Sequence, residues 1–277
     1  MGKNFERELT VAVSAVRTAG EYLLKRRCDA GDLQVDEKGI GDFVTEADRE
    51  SERLVTECIT SVFSEDSIVA EESGVRGRNN ARRWFIDPLD GTANYVHDIS
   101  HYCVSIGFME EGVICAGAVY DPCRDELFTA ARGGGAFLNG RPVSVNRSYD
   151  RSRSVIATGF PFRNRRYMDT YLKSFRAVTD ITGGIRRMGA AALDLCYTAM
   201  GRVDGFWELG LSSWDVAAGS LIVLEAGGTV SDFDGEDGYL DSGNTLGASA
   251  ACFPLLLKAV RTAMSGTDLV RWDTDAR

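Results

Sequence analysis

The sequence predicts an α+β protein of stacked helical and sheet layers, whose two coupled halves, about 1–150 and about 151–277, feed one cleft. Three observations carry that prediction. The chain opens on apolar residues at helical spacing, continues into a block of alternating strands, and closes on strands and helices in mixture. No internal repeat, low-complexity segment or long linker separates the halves. At 277 residues the chain is long enough to bury a sizeable core.

Each element follows from local pattern. Phe5, Leu9, Ala12, Val16, Ala19 and Leu23 recur on one face of a first amphipathic helix. The charged, glycine-containing stretch from Asp29 to Gly41 reads as a loop. A second helix starts after Thr45 and buries Leu54, Val55, Cys58, Ile59 and Val62. Ser67–Ala70 is a short strand that delivers Glu71 and Glu72, and the run 83–87 is a strand that stops at Asp87-Pro88. Tyr102 to Met109, Val113 to Tyr120 and Glu126 to Ala130 alternate as an antiparallel set. Gly133-Gly134-Gly135 and Asn139-Gly140 punctuate it, the latter as a hairpin turn. No Walker lysine follows those glycines, so they are not a phosphate loop. The second half reads strand near Ser154, helices over about 164–179 and 190–200, strand 203–208 and a helix from Trp214. Strands near 228–233 and 245–249 and a C-terminal helix complete it.

Charge and cysteine usage narrow the function. A formal charge of -10 repels nucleic acid and anionic membranes but does not oppose a phosphate ester, because bound cations invert the local field. Seven cysteines without a CxxC spacing fit reduced thiols, and two histidines are too few for a Cys/His zinc site. The N-terminus carries no apolar signal core, and no run reaches transmembrane length, so a cytoplasmic location is expected.

The chemistry concentrates in Trp84-Phe85-Ile86-Asp87-Pro88-Leu89-Asp90-Gly91-Thr92-Ala93-Asn94. An apolar run delivers two carboxylates across a proline turn and opens into Gly-Thr, where backbone N–H groups gather. Hard anionic oxygens beside amide donors suit magnesium and a phosphate together. A turn with a helix N-cap would explain the same aspartates structurally. Asp48, three residues after Thr45, has a similar double reading as a capping box and as a cleft carboxylate. Asp215 opens a helix behind Trp214, where a carboxylate also suits the helix dipole.

These segments resemble, in order, the acidic signatures of inositol monophosphatase-like enzymes: Asp42–Asp48, Ala70-Glu71-Glu72-Ser73, Trp84–Tyr95 and Trp214–Gly219 with Glu225–Gly228. Gly201–Glu208 is similar to the bacterial members. The resemblance covers nearly the whole chain and implies an alternating α-β-α-β-α sandwich of the inositol monophosphatase/fructose-1,6-bisphosphatase type. It implies Mg2+ held by Glu71, Asp87, the Leu89 carbonyl, Asp90 and Asp215, with Glu72 in support. Glu71, Thr92 and Asp48 would be catalytic, Asp48 orienting the Thr92 hydroxyl toward the attacking water. Substrate contacts would come from Leu89, Asp90, Gly91, Thr92, Gly189, Ala190, Ala191, Glu208 and Asp215, with Arg186 or Arg187 close by; Lys38 matches a mobile-loop lysine near the metals. Many members carry Thr or Ser where Ala190 stands, which puts polyol recognition in question. Lithium sensitivity and a homodimer are further implications.

The expected reaction is hydrolysis of a phosphate monoester, inositol 1-phosphate first, by direct attack of metal-activated water. Fructose bisphosphate, histidinol phosphate and phosphoadenosine phosphate are the alternative substrates, and Glu208 disfavours a second phosphate. An aspartyl-phosphate phosphatase would place its two aspartates two apart rather than three, so no phosphoenzyme is expected. A regulatory partnership with transcription or RNA machinery has one support, the basic residues Arg147, Arg151, Arg153, Arg163, Arg165 and Arg166. Asp232–Gly238 resembles a calcium loop, but Asp237 occupies the obligatory glycine position, so it reads as a solvated turn.

Overall fold

A computed structural model describes residues 5–28, 35–39 and 42–265. The N-terminal part runs α1 (Glu6–Cys28), β1 (Val35–Gly39), β2 (Asp42–Thr45), α2 (Glu46–Thr60), β3 (Ser67–Ala70), β4 (Gly74–Arg76), β5 (Arg82–Asp90) and α3 (Thr92–Val96). It continues through β6 (Cys103–Glu110), β7 (Val113–Asp121), β8 (Glu126–Ala131), β9 (Gly135–Leu138) and β10 (Arg141–Val143). The C-terminal part runs β11 (Val155–Thr158), a 3-10 turn (Phe162–Tyr167), α4 (Met168–Thr179), β12 (Gly184–Arg186), α5 (Ala191–Ala199), β13 (Gly205–Glu208) and α6 (Ser213–Glu225). It ends with β14 (Thr229–Ser231), α7 (Tyr239–Ser242), β15 (Thr245–Ala248) and α8 (Phe253–Met264).

Strands β3 to β10 form an eight-stranded sheet in the order β10-β9-β8-β7-β6-β5-β3-β4, and β11 to β15 a five-stranded sheet in the order β12-β11-β13-β15-β14. Strand alternation assigns each sheet face to a different partner. In β5, Trp84 and Ile86 pack with α1 and α2, while Phe85 joins the opposite face. That opposite face packs on α5 and α6, through Leu193, Leu195, Val216, Ala217 and Leu221 among others. Across those helices lie Ala157, Phe206 and Val230 of the five-stranded sheet; its other face presents Ile156, Trp207 and Leu246 to α4 and α8. The layer order is therefore helix, sheet, helix, sheet, helix. The central layer sits very close to the large sheet: a Cβ at Gly107 in β6 would approach Ala217 Cβ of α6 to 2.7 Å. That contact brings the start of α6 to the end of β5, which is where the site lies.

Four sequence expectations change. Helix α2 ends at Thr60, so Val62 lies past it and is exposed rather than buried. The stretch Asp29 to Gly41 is not all loop, because Val35–Gly39 pairs antiparallel with Asp42–Thr45. Asp36, Glu37, Lys38 and Gly39 leave no apolar alternation to mark the first strand. The helix expected over 164–179 divides into the 3-10 turn and α4. Strand β5 does not stop at Asp87-Pro88. Asp87 pairs with Ser105 and Asp90 with Cys103, so the bulge spans Pro88 and Leu89 and absorbs the missing proline N–H.

Candidate active site

The bulge in β5 sets the site. Asp87 is buried, and its Oδ1 accepts the Leu89 N–H at 3.1 Å. Ser51 of α2 donates to the Pro88 carbonyl at 2.7 Å, pinning the bulge to the helix beneath it. Gly91 follows with φ +94°, a left-handed conformation that a side chain would strain; its virtual Cβ would also stand 3.0 Å from the His101 carbonyl. This turn reverses the chain and points the Thr92 hydroxyl back at the Leu89 carbonyl (3.0 Å) and at Asp48 Oδ1 (3.1 Å).

Asp48 closes a cap with one oxygen and reaches Thr92 with the other. Its Oδ2 accepts the Thr45 N–H at 2.8 Å and the Thr45 hydroxyl at 2.6 Å, closing a capping box on α2. Its Oδ1 is left to Thr92. Asp215 repeats the device on α6, where its Oδ2 accepts the Ser212 N–H at 2.6 Å and completes a second capping box. Glu71 lies just past β3, held by its N–H to the Ile86 carbonyl at 3.2 Å. The backbone N–H of Glu72 donates to the Glu52 carboxylate of α2 at 2.8 Å.

Electrostatics show that these acids share one region. Burial pushes the Asp87 carboxyl well above its ordinary value, and the charges of Glu71, Asp90 and Asp215 push it further. Asp90 is driven up to about 7 by burial and then by Asp215, with Glu71 adding to the rise against opposing amide hydrogen bonds. Asp48 rises to about 6, chiefly by burial, against its Thr45 hydrogen bonds and with Glu71 adding to the rise. Among the described residues, no basic side chain is a principal influence on Asp87 or Asp90. Among the described residues, no three His, Cys, Asp or Glu side chains are drawn in to metal-ligand spacing. A hard oxygen donor set of carboxylates and the Leu89 carbonyl is the chemistry that magnesium takes.

A second group of residues borders the acids. Ala192 of α5 donates its N–H to Asp90 Oδ2 at 2.7 Å, and Asn94 ties the Met188 and His101 carbonyls together at 2.9 and 2.7 Å. Glu208, at the end of β13, lies over Gly159, where a Cβ would meet its Oε1 at 1.9 Å. Arg186 folds back, its Nη1 donating to the Ile185 carbonyl at 2.9 Å. Arg187 instead lies over Gly189, whose virtual Cβ would stand 2.4 Å from Nη1, and covers the Phe162 ring at 5.5 Å. The two guanidinium groups thus part, Arg186 toward its own strand and Arg187 toward Gly189 and Phe162. Ala190 and Ala191 are buried and present no polar atom beyond their backbone. Lys38 falls in β1, where its side chain lies outside the described residues.

Sequence reasoning passed over Asp194. It is buried in α5 with Oδ1 unpartnered, raised well above the usual range by burial and by the charges of Glu208 and Asp90 while Arg187 opposes them. A lone acid in the apolar run Ala191-Ala192-Leu193-Asp194-Leu195-Cys196 was the available signal. Cys103 was also missed; its Sγ stands 3.8 Å from Asp90 Oδ2, and burial pushes the thiol up.

The model of the inositol monophosphatase family matches residues 5–265, nearly the full chain. The chain belongs to the inositol monophosphatase family. Its relatives carry two kinds of name. One is the "Nus factor SuhB" of Pseudomonas aeruginosa, 43% identical over 260 residues that cover 91% of this chain and 95% of that one. Another is the "Inositol-1-monophosphatase" of Mesorhizobium japonicum, 43% identical over 258 residues, covering 93% and 97%. Among solved structures, the extragenic suppressor protein suhB of Bartonella henselae superposes with a TM-score of 0.88 at 40% identity, covering 92% of this chain and 98% of that one. The layered sandwich is thus the fold of this family. No helix among the described residues is long and apolar enough to cross a membrane, and the six cysteines whose side chains are described are free thiols.

Proposed function

We propose that this family member is a magnesium-dependent phosphate monoester hydrolase, with inositol 1-phosphate as its first substrate. One observation carries the reading. The charges of Glu71, in the turn after β3, and of Asp215, at the start of α6, both bear on the buried Asp87 and Asp90 of β5. Glu71, Asp87, the Leu89 carbonyl, Asp90 and Asp215 would hold the cations. Magnesium, when bound, neutralises phosphoryl oxygens and the departing alkoxide and lowers the pKa of a water.

The chain's own residues do the rest. Glu71 and the Thr92 hydroxyl flank the place from which water attacks phosphorus in line. The water's proton is directed along Thr92 toward Asp48 Oδ1, 3.1 Å from the hydroxyl. The capping box fixes Asp48 against α2, so the relay is oriented before substrate arrives. Glu208 faces the alcohol portion of the ester and disfavours a second phosphate by repulsion, with Arg187 beside it as the counter-charge. The first experiment measures phosphate release from inositol 1-phosphate, fructose bisphosphate, histidinol phosphate and phosphoadenosine phosphate, with magnesium and with chelator. A magnesium-dependent preference for the inositol ester is expected; preference for a bisphosphate overturns the polyol assignment. Single turnover in labelled water is expected to place one label in released phosphate, and a trapped phospho-Asp87 would defeat direct attack.

A second role beside the transcription machinery is favoured by the relatives named Nus factor and by the exposed Arg147, Arg151, Arg153, Arg165 and Arg166. If an Asp87→Asn chain loses phosphate release but still rescues cells lacking the protein, that role is supported. Loss of both together rejects it.

A further inference from the structure

Three helices point their N-termini into the site, and each hands backbone N–H groups to a carboxylate. Helices α2 and α6 do so locally, through Thr45 with Asp48 and Ser212 with Asp215. Helix α5 differs. Its N-cap is Ala190, in extended conformation and with no side-chain cap. The Ala192 N–H, two residues into the helix and in the position a capping oxygen normally serves, donates instead to Asp90 Oδ2 at 2.7 Å. That oxygen arrives from β5, 102 residues away in the chain, and the Cys103 thiol lies at 3.8 Å from it.

We propose that Asp90 is the N-cap of α5 in trans, and that the residue at position 190 controls how firmly Asp90 is held for its cation. With alanine at 190, the helix has no side-chain oxygen of its own, and Oδ2 is committed to the amide. The amide fixes the orientation in which Asp90 presents its remaining lone pairs to a cation. A hydroxyl at 190 would compete for the Ala192 N–H and release Oδ2. Helix α5 packs against β13, which ends at Glu208, and carries the buried Asp194, so the cap links the cation cluster to the alcohol-binding side. The cap stands on geometry alone, whereas its consequence for the cation rests on the function proposed above.

The test is a thermal-unfolding cycle on the metal-free protein, using Asp90→Asn, which keeps an acceptor oxygen, and Asp90→Ala, which removes it. Each is made with Ala190 and with Ala190→Ser. With Ala190, the Asp90→Ala midpoint is expected below that of Asp90→Asn. In the Ala190→Ser background that gap shrinks by about 2–4 °C, because the serine hydroxyl takes over the amide. Any cavity left by the alanine is common to both backgrounds and cancels. Calorimetric titration with magnesium is expected to give Ala190→Ser an affinity about three- to tenfold weaker than the unaltered chain. A gap that is equal in both backgrounds overturns the cap. A gap that shrinks while magnesium affinity stays level overturns the control by residue 190. Failure of every form to bind magnesium overturns the cation reading of the site, not the cap.

Discussion

Two acidic clusters in this molecule are built from similar parts and differ in one respect. Beneath the large sheet, Glu8, Asp66 and Glu110 surround Arg82, with Nη2, Nε and Nη1 at 2.9, 2.8 and 2.8 Å from the three carboxylates. Trp84 donates to the second Asp66 oxygen at 3.0 Å, and the Arg82 guanidinium lies over the Phe63 and Phe108 rings. That cluster holds its cation covalently, as part of the chain. At the end of β5, Asp87 and Asp90 instead flank a bulge and Asp215 opens α6, and among the described residues no arginine or lysine is a leading influence on the buried pair. Helix amides satisfy single oxygens there, as at Asp90 and Asp215, without neutralising the group. The difference separates a cluster neutralised within the chain from the one for which a cation is proposed.

The sharpest way to break that comparison is to remove one charge from each cluster. Asp87→Asn is expected to lower phosphate release by about a thousandfold, about 4 kcal/mol of activation free energy, in a steady-state phosphate assay. The same change is expected to raise the urea midpoint of the metal-free protein, since it relieves buried repulsion. Arg82→Leu is expected to act in the opposite sense, costing about 3 kcal/mol of stability in urea unfolding by stranding three carboxylates. Were both substitutions destabilising to the same degree without metal, the two clusters would be equivalent and the distinction would fail.

Cation and pH sharpen the contrast. Magnesium at about 100 times its dissociation constant should stabilise the protein by about 2.7 kcal/mol in a thermal melt. In the metal-free protein, the raised Asp90 carboxyl binds its proton more tightly folded than unfolded. Its contribution is therefore present below pH 4 and lost as pH rises from about 4 through about 7. The metal-free midpoint should fall across that window on account of the acid cluster, and saturating magnesium should flatten the fall. A metal-free midpoint that rose steadily over the same window in the unaltered chain, and did so equally in Asp90→Asn, would remove the repulsion from the account. The smallest effect concerns the border of the site. Arg187→Ala is expected to raise KM for a phosphate ester about fivefold with little change in kcat, and Arg186→Ala less than about twofold.

Much of this was legible in the chain because local pattern and chemistry coincide. Thr45 and Asp48 announce a helix start, and the same three-residue spacing that closes the capping box leaves an oxygen for Thr92. The apolar run into Asp87 announces a buried strand aimed at a polar end. What lay beyond the sequence depends on contacts between distant segments. The bulge at Pro88 and Leu89 exists because β6 pairs on both sides of it, a register that no local signal records. The parting of Arg186 from Arg187 follows from Gly189 and Phe162, where one guanidinium finds a surface and the other turns back on its own strand. Asp194 looks like an ordinary helix residue until α5 is buried between two sheets.

The central claim is that carboxylates from both parts of the chain hold one cation cluster. A crystal soaked in manganese, read by anomalous scattering, tests it most directly. The account predicts manganese within about 2.0–2.4 Å of oxygens from Glu71, Asp87 and Asp215 in a shared cluster. Manganese bound elsewhere, or Asp215 left outside the coordination of any ion that Asp87 and Glu71 hold, would contradict it.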